Sequence, residues 1–502
     1  MMRWLDRITG LVTMYRLILI CLLALAVEAI LVALTSQLAY NPLGILVSGV
    51  VVVAVTYLSN RLFAGLFRVR PHSESALITG LILLFLFTPQ LDLAALGALA
   101  LACFLAMASK YLLAIRGKHI FNPAALGAFV TSLILPNDFP GWWIANPWLL
   151  PLVAIGGFVI LFRTRHLAMG VVFVVVAALS VTVTLTSYGQ SFGAALSTAF
   201  LSYPVVYFAG FMLSEPLTLP PRRWQQLALA VIVGVLFGLS FHVGPVIWTF
   251  QLALLVGNLL AFLVGQRRGI RLHYLGREPL DASSWELSFA PRRPVRFAAG
   301  QFMELTLPHH KVDVRGLRRT FSIASAPSAS AVSFGVRTAA QSSSFKTALL
   351  ALSPGDTVTA TSVGGDFVLP RDPAAPILLV AGGIGITPYI SQLTELEASG
   401  EQRDVVLVYT ASTADDLAYA SRLDAGGHRV LLVAPSAPAA LPTSWTYLGP
   451  GPLTAELLLA AVPDAAARRA YVSGPPGLVR SLGPALRKAG VRRVKSDYFT
   501  GY

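Results

Sequence analysis

Long apolar runs dominate the first 265 residues of the chain, and polar residues are confined to the short connections between them. A run of about 20 apolar residues is long enough to cross the ~30 Å hydrocarbon core of a bilayer as a helix. Ten runs approach this length, although glycine and proline shorten or interrupt several of them. They lie near residues 17–36, 43–59, 74–89, 93–113, 121–136, 147–162, 167–187, 193–213, 224–241 and 245–265. The pattern predicts a polytopic α-helical membrane domain of about ten spans over residues 1–270.

The pattern changes near residue 285. Short stretches in which apolar and polar residues alternate come first, and strand-like runs that alternate with helical segments follow. The first pattern is typical of a small antiparallel β-barrel, and the second of a doubly wound α/β sheet. We therefore expect a multi-domain protein, in which a barrel over residues 271–372 and an α/β domain over residues 373–502 follow the membrane domain.

The composition supports two different halves. Only 12% of the 502 residues are charged, against roughly 25% in ordinary soluble proteins, and 55% are hydrophobic. These values exclude a disordered chain, a collagen-like fibre and a small disulfide scaffold. Residues 1–270 contain 21 Lys, Arg, Asp and Glu side chains, whereas residues 271–502 contain 41, which is the charge content of a soluble domain.

Basic residues in the first half indicate its orientation, because lysine and arginine are retained on the cytoplasmic side of membranes. All fifteen fall at the N-terminus or in every second connection of the ten-span arrangement. They are Arg3, Arg7, Arg16, Arg61, Arg68, Arg70, Lys110, Arg116, Lys118, Arg163, Arg165, Arg222, Arg223, Arg267 and Arg268. This predicts a multi-pass protein of the cytoplasmic (inner) membrane with both termini in the cytoplasm. The orientation also explains the +9 that residues 1–270 contribute to the net charge of +14, so no nucleic acid is expected as a partner.

The sequence offers few ligands for metal-dependent redox chemistry. The two cysteines, Cys21 and Cys103, lie within predicted spans, so no metal centre, iron–sulfur cluster or disulfide framework is expected. A transmembrane haem protein needs histidines that face each other on different helices. The histidines of the first half lie at span edges and never occur twice on one span, so haem is not favoured. They are His72, His119, His166 and His242.

Three local motifs follow predicted strands in the second half. They are Arg319-Thr320-Phe321-Ser322, then Ala381-Gly382-Gly383-Ile384-Gly385-Ile386-Thr387-Pro388, then Ser473-Gly474-Pro475-Pro476-Gly477. A glycine-rich turn between a strand and a helix lets backbone N–H groups approach a pyrophosphate at the positive end of the helix. Glycines also serve tight turns and close packing, so the order of all three motifs, rather than any single one, favours nucleotide binding.

On these motifs, residues 285–502 resemble the ferredoxin–NADP reductase superfamily. The resemblance implies a six-stranded antiparallel FAD-binding barrel and an NAD(P)H-binding α/β domain. It assigns Arg319 to the FAD phosphates, Phe321 to stacking on the flavin, and Ser322 to a place near the flavin N5. Thr320 in the same motif is a further cofactor-binding candidate. The nucleotide loop is matched by Gly382, Gly383, Gly385, Thr387 and Pro388, and the motif beside the nicotinamide by Ser473, Gly474 and Pro475. Ser322 and Ser473 are thus catalytic candidates.

One further segment departs from the family pattern, and another admits two interpretations. The second FAD phosphate segment usually has a glycine before its serine, but here it contains Ser342, Ser343 and Ser344, whose hydroxyls remain candidates for phosphate binding. The aromatic chain end resembles a terminus that some members fold against the flavin, which implies that Phe499 binds the cofactor and makes Tyr502 a third catalytic candidate. A packed edge strand is the alternative for that end.

The loop at residues 410–414 bears on whether NADH or NADPH is the coenzyme. Residues 410–414 read Thr-Ala-Ser-Thr-Ala and contain neither the arginine nor the lysine that would hold a 2′-phosphate. Either NADH or NADPH remains compatible with the rest of the sequence. The loop favours NADH.

Three segments of the membrane half resemble the RnfD/NqrB family. The predicted number of spans in this half also matches that family. The three segments are residues 75–80, residues 118–127, which contain Phe121-Asn122-Pro123, and residues 214–218. The resemblance implies flavin in this half. The covalent FMN attachment segment is not matched, because Ala194 stands at the position of the required threonine, and a non-covalent FMN or riboflavin stays open. Asn122-Pro123 is equally well explained as a helix cap followed by proline at the first helical position.

Together these features predict a membrane-bound, FAD-containing NAD(P)H oxidoreductase that passes electrons from the cytoplasm into or across the bilayer. The sequence does not distinguish between a quinone, an extracytoplasmic flavoprotein, ferric iron and a ferredoxin as the electron acceptor. It is also compatible with further membrane subunits. Two other functions also stay open. One is a subunit of a redox-driven Na⁺ or H⁺ pump, and the other is a membrane-anchored flavin or ferric reductase whose spans carry no electrons.

Overall fold

The computed structural model describes residues 14–69, 71–115, 118–136, 140–243, 246–264, 269–310, 312–313, 317–338, 342–491 and 493–498. The chain divides into two compact units, Met1–Arg268 and Gly269–Tyr502. The N-terminal unit is built from apolar helices, and the C-terminal unit from two six-stranded sheets with helices.

Each predicted apolar run contains a helix. In chain order the helices are α1 (Met14–Leu34), α2 (Pro42–Leu66), α3 (Ser73–Leu86), α4 (Leu93–Leu112), α5 (Pro123–Ile134), α6 (Leu150–Arg163), α7 (Leu167–Ser187), α8 (Phe192–Leu201), α9 (Val205–Leu213), α10 (Arg223–Phe237) and α11 (Phe250–Val264). The second part of α9, Phe208–Leu213, is a π-helical turn. Two short hairpins connect helices: β1 (Ala114–Ile115) with β2 (Lys118–His119), and β3 (His242–Val243) with β4 (Val246–Ile247).

Among the described residues, four helices are long and apolar enough to cross a membrane: α1, α2, α4 and α7. The pair α8 and α9, bent by 50° at its break, makes a fifth if it is counted as one span. The other apolar helices have 10–17 residues. The N-terminal unit is therefore compatible with a membrane protein, and the figure of about ten spans stays a prediction.

The helices of the N-terminal unit repeat one packing order. In α1–α5 the second helix packs against the third and fourth, and the fourth packs against the fifth. The same order recurs in α6–α11 when α8 and α9 are counted as one element. A short hairpin joins the fourth and fifth helices in both sets, β1–β2 in the first and β3–β4 in the second. The unit is thus an internal repeat of a five-helix arrangement.

The two sets differ where their third helices end. After α3 the chain reads Thr88-Pro89, and after α9 it reads Glu215-Pro216. The end of α3 is covered by the segment before α6, because the Trp142 N–H donates to the Leu86 carbonyl at 2.9 Å and the Trp143 indole donates to the Leu84 carbonyl at 2.6 Å. Both tryptophans are buried.

In the C-terminal unit, six antiparallel strands form the first sheet. They are β5 (Ile270–Pro279), β6 (Ser284–Pro291), β7 (Phe302–Thr306), β8 (Arg318–Ser322), β9 (Val332–Arg337) and β10 (Thr357–Gly364), in the order β8-β7-β10-β5-β6-β9. The edge strands meet through a bridge between Ile323 and Phe334. A short helix, α12 (Ser344–Leu350), packs on the sheet through Phe345, which is fully buried. The six antiparallel strands were predicted, and closure into a barrel stays a prediction.

The second sheet is parallel. Its strands are β11 (Ile377–Gly382), β12 (Val405–Thr410), β13 (Val430–Val433), β14 (Trp445–Gly449), β15 (Arg469–Gly474) and β16 (Val494–Tyr498), in the order β14-β13-β12-β11-β15-β16. The helices are α13 (Thr387–Ser399), α14 (Ala420–Ala425), α15 (Ala455–Ala461) and α16 (Pro476–Lys488). The strand order reverses between β11 and β15, and ligands of such sheets bind at the carboxyl ends of the strands at this reversal.

Glycines allow close helix contacts in the N-terminal unit, as is common between membrane helices. A Cβ atom on Gly127 of α5 would lie 2.4 Å from the Ala102 carbonyl of α4, whereas one on Gly97 of α4 would meet no atom within 4 Å.

We expect Gly127→Ala to separate α4 from α5 and to lower the free energy of unfolding by about 1–3 kcal/mol. Gly97→Ala is the matched control, and it should be neutral or slightly stabilising because alanine favours helix. Thermal unfolding of the two variants in the same detergent measures the difference. Equal midpoints would contradict the close contact.

Candidate functional site

Two glycine motifs meet at the point where the parallel strand order reverses. A Cβ atom on Gly385, in the turn after β11, would lie 2.5 Å from the Cα of Gly474, which ends β15. One on Gly382 would lie 2.8 Å from the Cδ of Pro475. Gly383 and Gly474 have positive φ angles of 51° and 143°, which glycine adopts without strain. The two predicted nucleotide-binding segments are therefore in direct backbone contact.

Polar groups line this contact. Thr387 and Pro388 begin α13, and the Thr387 hydroxyl donates to the Ile384 carbonyl at 2.6 Å, which fixes the turn. The Ser473 side chain is fully buried, and its Oγ has no hydrogen-bond partner among the described residues. A buried hydroxyl without a partner costs free energy unless a ligand satisfies it. The position of Ser473 thus fits a ligand with a polar edge, as a nicotinamide has.

Helix α13 attaches the nucleotide segments to the antiparallel sheet. The Ser391 hydroxyl donates to the Ser325 carbonyl at 2.7 Å, and the Gln392 amide donates to the Phe367 carbonyl at 2.7 Å. Ser325 lies three residues after Ser322, which is itself buried. The predicted FAD motif and the predicted nucleotide loop therefore belong to one connected structure.

The two predicted FAD phosphate segments also come together. The Arg319 guanidinium lies 5.7 Å from the centre of the Phe345 ring, and Phe321 stacks against the same ring at 5.9 Å. The Asp313 carboxylate contacts both segments, at 3.5 Å from Arg319 Nη2 and 3.0 Å from the Ser344 N–H. Arg319 Nη2 and the Ser344 N–H thus both contact a negatively charged carboxylate, and the same two donors fit a phosphate group.

The remaining residues of these segments have separate roles. Ser343 caps α12, because its Oγ accepts from the Lys346 N–H at 3.3 Å. The Ser344 Oγ accepts from the Asp313 N–H at 3.0 Å. Ser342 is half-buried beside them, and Thr320 is exposed on β8. The hydroxyls and the helix start are thus grouped as predicted, and their binding of FAD stays a prediction.

Arg337 was missed by the sequence analysis. It ends β9, yet its Nη1 donates to the Ser412 hydroxyl at 3.2 Å and its Nη2 pairs with the Asp416 carboxylate at 2.7 Å. A Cβ atom on Gly383 would lie 3.4 Å from the same Nη1. The loop after β12 lacks a basic residue of its own, as noted, but the antiparallel sheet supplies one. No local sequence signal marks this contact, because it joins residues 75 positions apart.

A buried carboxylate holds the end of this loop. Glu286 of β6 accepts from the Ser333 hydroxyl at 2.7 Å and pairs with Arg422 at 2.8 Å. Tyr419, which precedes α14, lies within 3.4 Å of the same carboxylate. Burial, together with the charge of Glu286, raises the pKa of Tyr419 well above its usual value, so the phenol keeps its proton. The cluster fixes residues 411–419 against the antiparallel sheet.

The last strand runs beside the nicotinamide motif. Ser473 pairs with Asp497 and Gly474 pairs with Tyr498 in the parallel ladder of β15 and β16. The Lys495 ammonium donates to the Asp366 carbonyl at 2.7 Å, and burial lowers its pKa. Phe499 and Tyr502, which were predicted to lie near the flavin, fall outside the described residues.

A second polar cluster lies in the N-terminal unit. Asn122 caps α5, accepting from the Ala125 N–H at 3.0 Å. Its amide donates to Glu215 at 2.9 Å, and its backbone N–H donates to the Asn258 side chain of α11 at 2.8 Å. The other oxygen of Glu215 lies 2.6 Å from His119 Nε2. We call His119, Asn122, Glu215 and Asn258 the Asn122 cluster.

Lys110 adds a charge near this cluster. Its ammonium donates to the carbonyl of Ser75 at 2.8 Å and to its hydroxyl at 3.0 Å, and it interacts electrostatically with Glu215. The three segments that resemble the RnfD/NqrB family, which start at residues 75, 118 and 214, thus converge. The capping role of Asn122 is observed. Phe121 and Pro123 flank it, half-buried and buried, and a flavin site at these residues stays a prediction.

Comparisons with known proteins agree on the C-terminal unit. Residues 379–482 match the family model described as the oxidoreductase NAD-binding domain. This segment begins in β11 and ends within α16, so it contains both glycine motifs and Arg468, which bridges Asp404 and Asp464 at 2.8 and 2.7 Å.

The curated relatives include an electron transfer component, an NADPH oxidoreductase and a flavohemoprotein. The chain is 28% identical to the toluate 1,2-dioxygenase electron transfer component of Pseudomonas putida over 46% of this chain and 68% of that protein. It is 31% identical to an NADPH oxidoreductase of Mycobacterium tuberculosis over 44% of this chain and 58% of that protein. A flavohemoprotein of Bacillus cereus is 28% identical, with 37% of its length matched. The chain therefore spans roughly a third to two thirds of these relatives.

Among solved structures, a ferredoxin NADP⁺ reductase from Neisseria gonorrhoeae with bound FAD and NADP matches 47% of this chain and all of that one. The identity is 20% and the TM-score 0.40. An Amycolatopsis cytochrome P450 reductase matches 46% of this chain and 70% of that one, with 25% identity and a TM-score of 0.40.

The family match, the relatives and the paired glycine motifs lead to one conclusion. The C-terminal unit contains an oxidoreductase NAD-binding domain and is similar to NAD(P)H-dependent oxidoreductases of the ferredoxin–NADP reductase type.

Proposed function

We propose that this chain is a membrane-bound flavoprotein oxidoreductase that takes electrons from cytoplasmic NAD(P)H through FAD into its N-terminal unit. The first proposed step, electron transfer from NAD(P)H to FAD, is supported mainly by one observation. The segments of Gly382–Gly385 and Ser473–Pro475 meet at the strand reversal, with the unpartnered Ser473 hydroxyl buried between them and α13 tying them to the FAD motif.

The residues of the module have distinct tasks in this proposal. When bound, FAD accepts two electrons together and returns them singly. Arg319 and the Ser344 N–H, which now contact the Asp313 carboxylate, would hold its phosphates. Phe321 packs on the ring system, with Ser322 near its reactive edge. The glycine turn orients the dinucleotide and Ser473 orients the nicotinamide, and hydride transfer then needs no acid or base from the chain.

The proposed coenzyme is NADH. Arg337 lies next to the nucleotide turn, but Asp416 already neutralises its charge at 2.7 Å. A 2′-phosphate near this loop would face the Asp416 carboxylate as well as the guanidinium. The uncharged ribose of NADH meets no such repulsion, and an acidic side chain in this part of a doubly wound sheet commonly accepts from its hydroxyl groups.

The proposed location is the inner membrane, with both termini in the cytoplasm. Four long apolar helices, or five with the bent pair, support embedding in a bilayer. The distribution of basic residues supports the orientation, because every second connection in the ten-span arrangement carries them. This orientation gives the reductase module access to cytoplasmic NADH.

The proposed electron route enters an RnfD/NqrB-like N-terminal unit. Polar side chains are costly in a bilayer and mark functional sites there. The Asn122 cluster is such a group, and it gathers the three segments on which the family resemblance rests. We place the non-covalent FMN or riboflavin next to this cluster. The final acceptor is one of a quinone, an extracytoplasmic flavoprotein, ferric iron or a ferredoxin.

The first test is spectroscopic. The purified full chain should contain FAD whose absorbance is bleached by NADH, and Arg319→Gln should weaken FAD binding about tenfold or more, because hydrogen bonds to charged groups contribute roughly 1.5–3 kcal/mol. Arg371→Gln, an exposed arginine of the same unit, is the control and should bind FAD normally. A colourless protein that takes up no FAD would refute the proposal.

A second test separates the nucleotide site from the flavin site. Gly385→Ala should raise the KM for NADH about tenfold or more, since its Cβ collides with the Gly474 backbone, while FAD content stays unchanged. Gly477→Ala in the neighbouring motif meets no atom within 4 Å and should leave the KM unaltered. Steady-state NADH oxidation with an artificial dye gives both values. Equal KM values for the two variants would argue against this placement.

A third test addresses electron delivery into the membrane. Asn122→Ala should slow NADH-dependent reduction of a membrane quinone several-fold while dye reduction is retained. Asn41→Ala is a matched control, because Asn41-Pro42 caps α2 in the same way, by accepting from the Leu43 N–H at 2.9 Å. Loss of either cap costs about 1 kcal/mol. If both variants reduce quinone equally well, Asn122 is only a cap and the anchor function is favoured.

A further inference from the structure

Exposed arginines gather at one end of the antiparallel sheet, where β5 begins and β6 ends. Arg271 and Arg292 are neighbours, because the Arg292 N–H donates to the Arg271 carbonyl at 3.0 Å. Arg293 and Arg296 follow within four residues, and all four side chains are exposed. Within the described part of the chain none of the four pairs with a carboxylate. We call Arg271, Arg292, Arg293 and Arg296 the arginine face.

An exposed leucine lies on β5 four residues after Arg271. Leu272 and Tyr274 are buried, and Leu275 is exposed at the irregularity in the pairing of β5 with β6 between Tyr274 and Gly276. Leu275 is 51% exposed, and no other large hydrophobic side chain among the described residues of the C-terminal unit is comparably open. Basic side chains next to an exposed apolar one are typical of surfaces that lie on a membrane interface.

The sequence around the arginine face points to lipid as its ligand. Arg267 and Arg268 come three and four residues after the last residue of α11, Val264, and Arg271 follows three residues after Arg268. Basic clusters that adjoin a membrane helix on its cytoplasmic side bind anionic headgroups, with about a fivefold gain in affinity for each arginine. Covalent attachment to the embedded half keeps the local concentration of headgroups high without any other partner.

We infer that the arginine face binds the anionic phospholipid headgroups of the cytoplasmic leaflet, with Leu275 inserted at the interface. The guanidinium groups supply charge-assisted hydrogen bonds to the headgroup phosphates. This inference rests on the proposed membrane location, and it adds lipid composition as a factor that restrains the reductase module.

The test uses the full chain in nanodiscs. Cys21 and Cys103 are the two native cysteines, so Cys21→Ala and Cys103→Ala leave Ala298→Cys as a single labelling position at an exposed residue near the arginine face. A fluorophore at this position is read against a quencher attached to lipid headgroups. Quenching should be about twofold or more greater in discs that contain phosphatidylglycerol than in phosphatidylcholine alone. The difference should vanish in roughly 0.5 M salt, which screens exposed charges beyond a few ångströms.

A triple variant and a matched control decide the origin of the signal. Arg292→Gln, Arg293→Gln and Arg296→Gln together should abolish the lipid dependence. Arg371→Gln, Arg429→Gln and Lys488→Gln remove the same charge from exposed positions elsewhere in the unit and should leave it intact. Both variants should keep NADH-dependent dye reduction, which shows that the module is folded.

Several outcomes would overturn the inference. Equal quenching in neutral and anionic discs would mean that lipid is not the ligand and would favour an acidic protein instead. Loss of the lipid dependence in the control variant would mean that overall charge, not the arginine face, is responsible. Failure of the proposed function is distinguishable, because it shows as absent bleaching of FAD by NADH or as failure of the chain to enter nanodiscs.

Discussion

The backbone contact between Gly385 and Gly474 is the constraint on which the C-terminal unit depends. It holds the ends of β11 and β15 so close that a side chain on Gly385 would collide with the Gly474 backbone. Because α13 starts directly after the Gly385 turn and binds the Ser325 and Phe367 carbonyls, the antiparallel sheet is aligned to the same point. The flavin and nucleotide segments are thus positioned relative to each other through a few backbone contacts, and the chemistry of hydride transfer requires that kind of fixed geometry.

The N-terminal unit meets the opposite constraint, since its polar groups lie in apolar surroundings and must find partners within the protein. Asn122 shows how this is done: one side chain caps a helix and binds Glu215, while its backbone binds Asn258. A buried polar group left unpaired costs about 1–3 kcal/mol. Such a cluster therefore stabilises the packing of helices from both repeats.

The sequence predicted the features that depend on local pattern. The apolar runs contain helices, the six antiparallel strands and the parallel sheet are present, and the glycine motifs follow β11 and β15. Features that depend on contacts between distant residues were not predicted. Arg337 reaches Ser412 and Asp416 from another sheet, and Lys110 reaches Ser75 across 35 positions. The internal repeat was also missed, because apolar helices can exchange many side chains without changing their packing order.

The two five-helix sets of the N-terminal unit share a packing order but differ in chemistry at equivalent helix ends. The first set has Thr88 where the second has Glu215, and its helix end is closed by Trp142 and Trp143. One set is thus closed by aromatic packing, while the other has ionisable groups. A repeated packing order therefore does not impose the same chemistry twice, and the unit becomes asymmetric at one pair of turns.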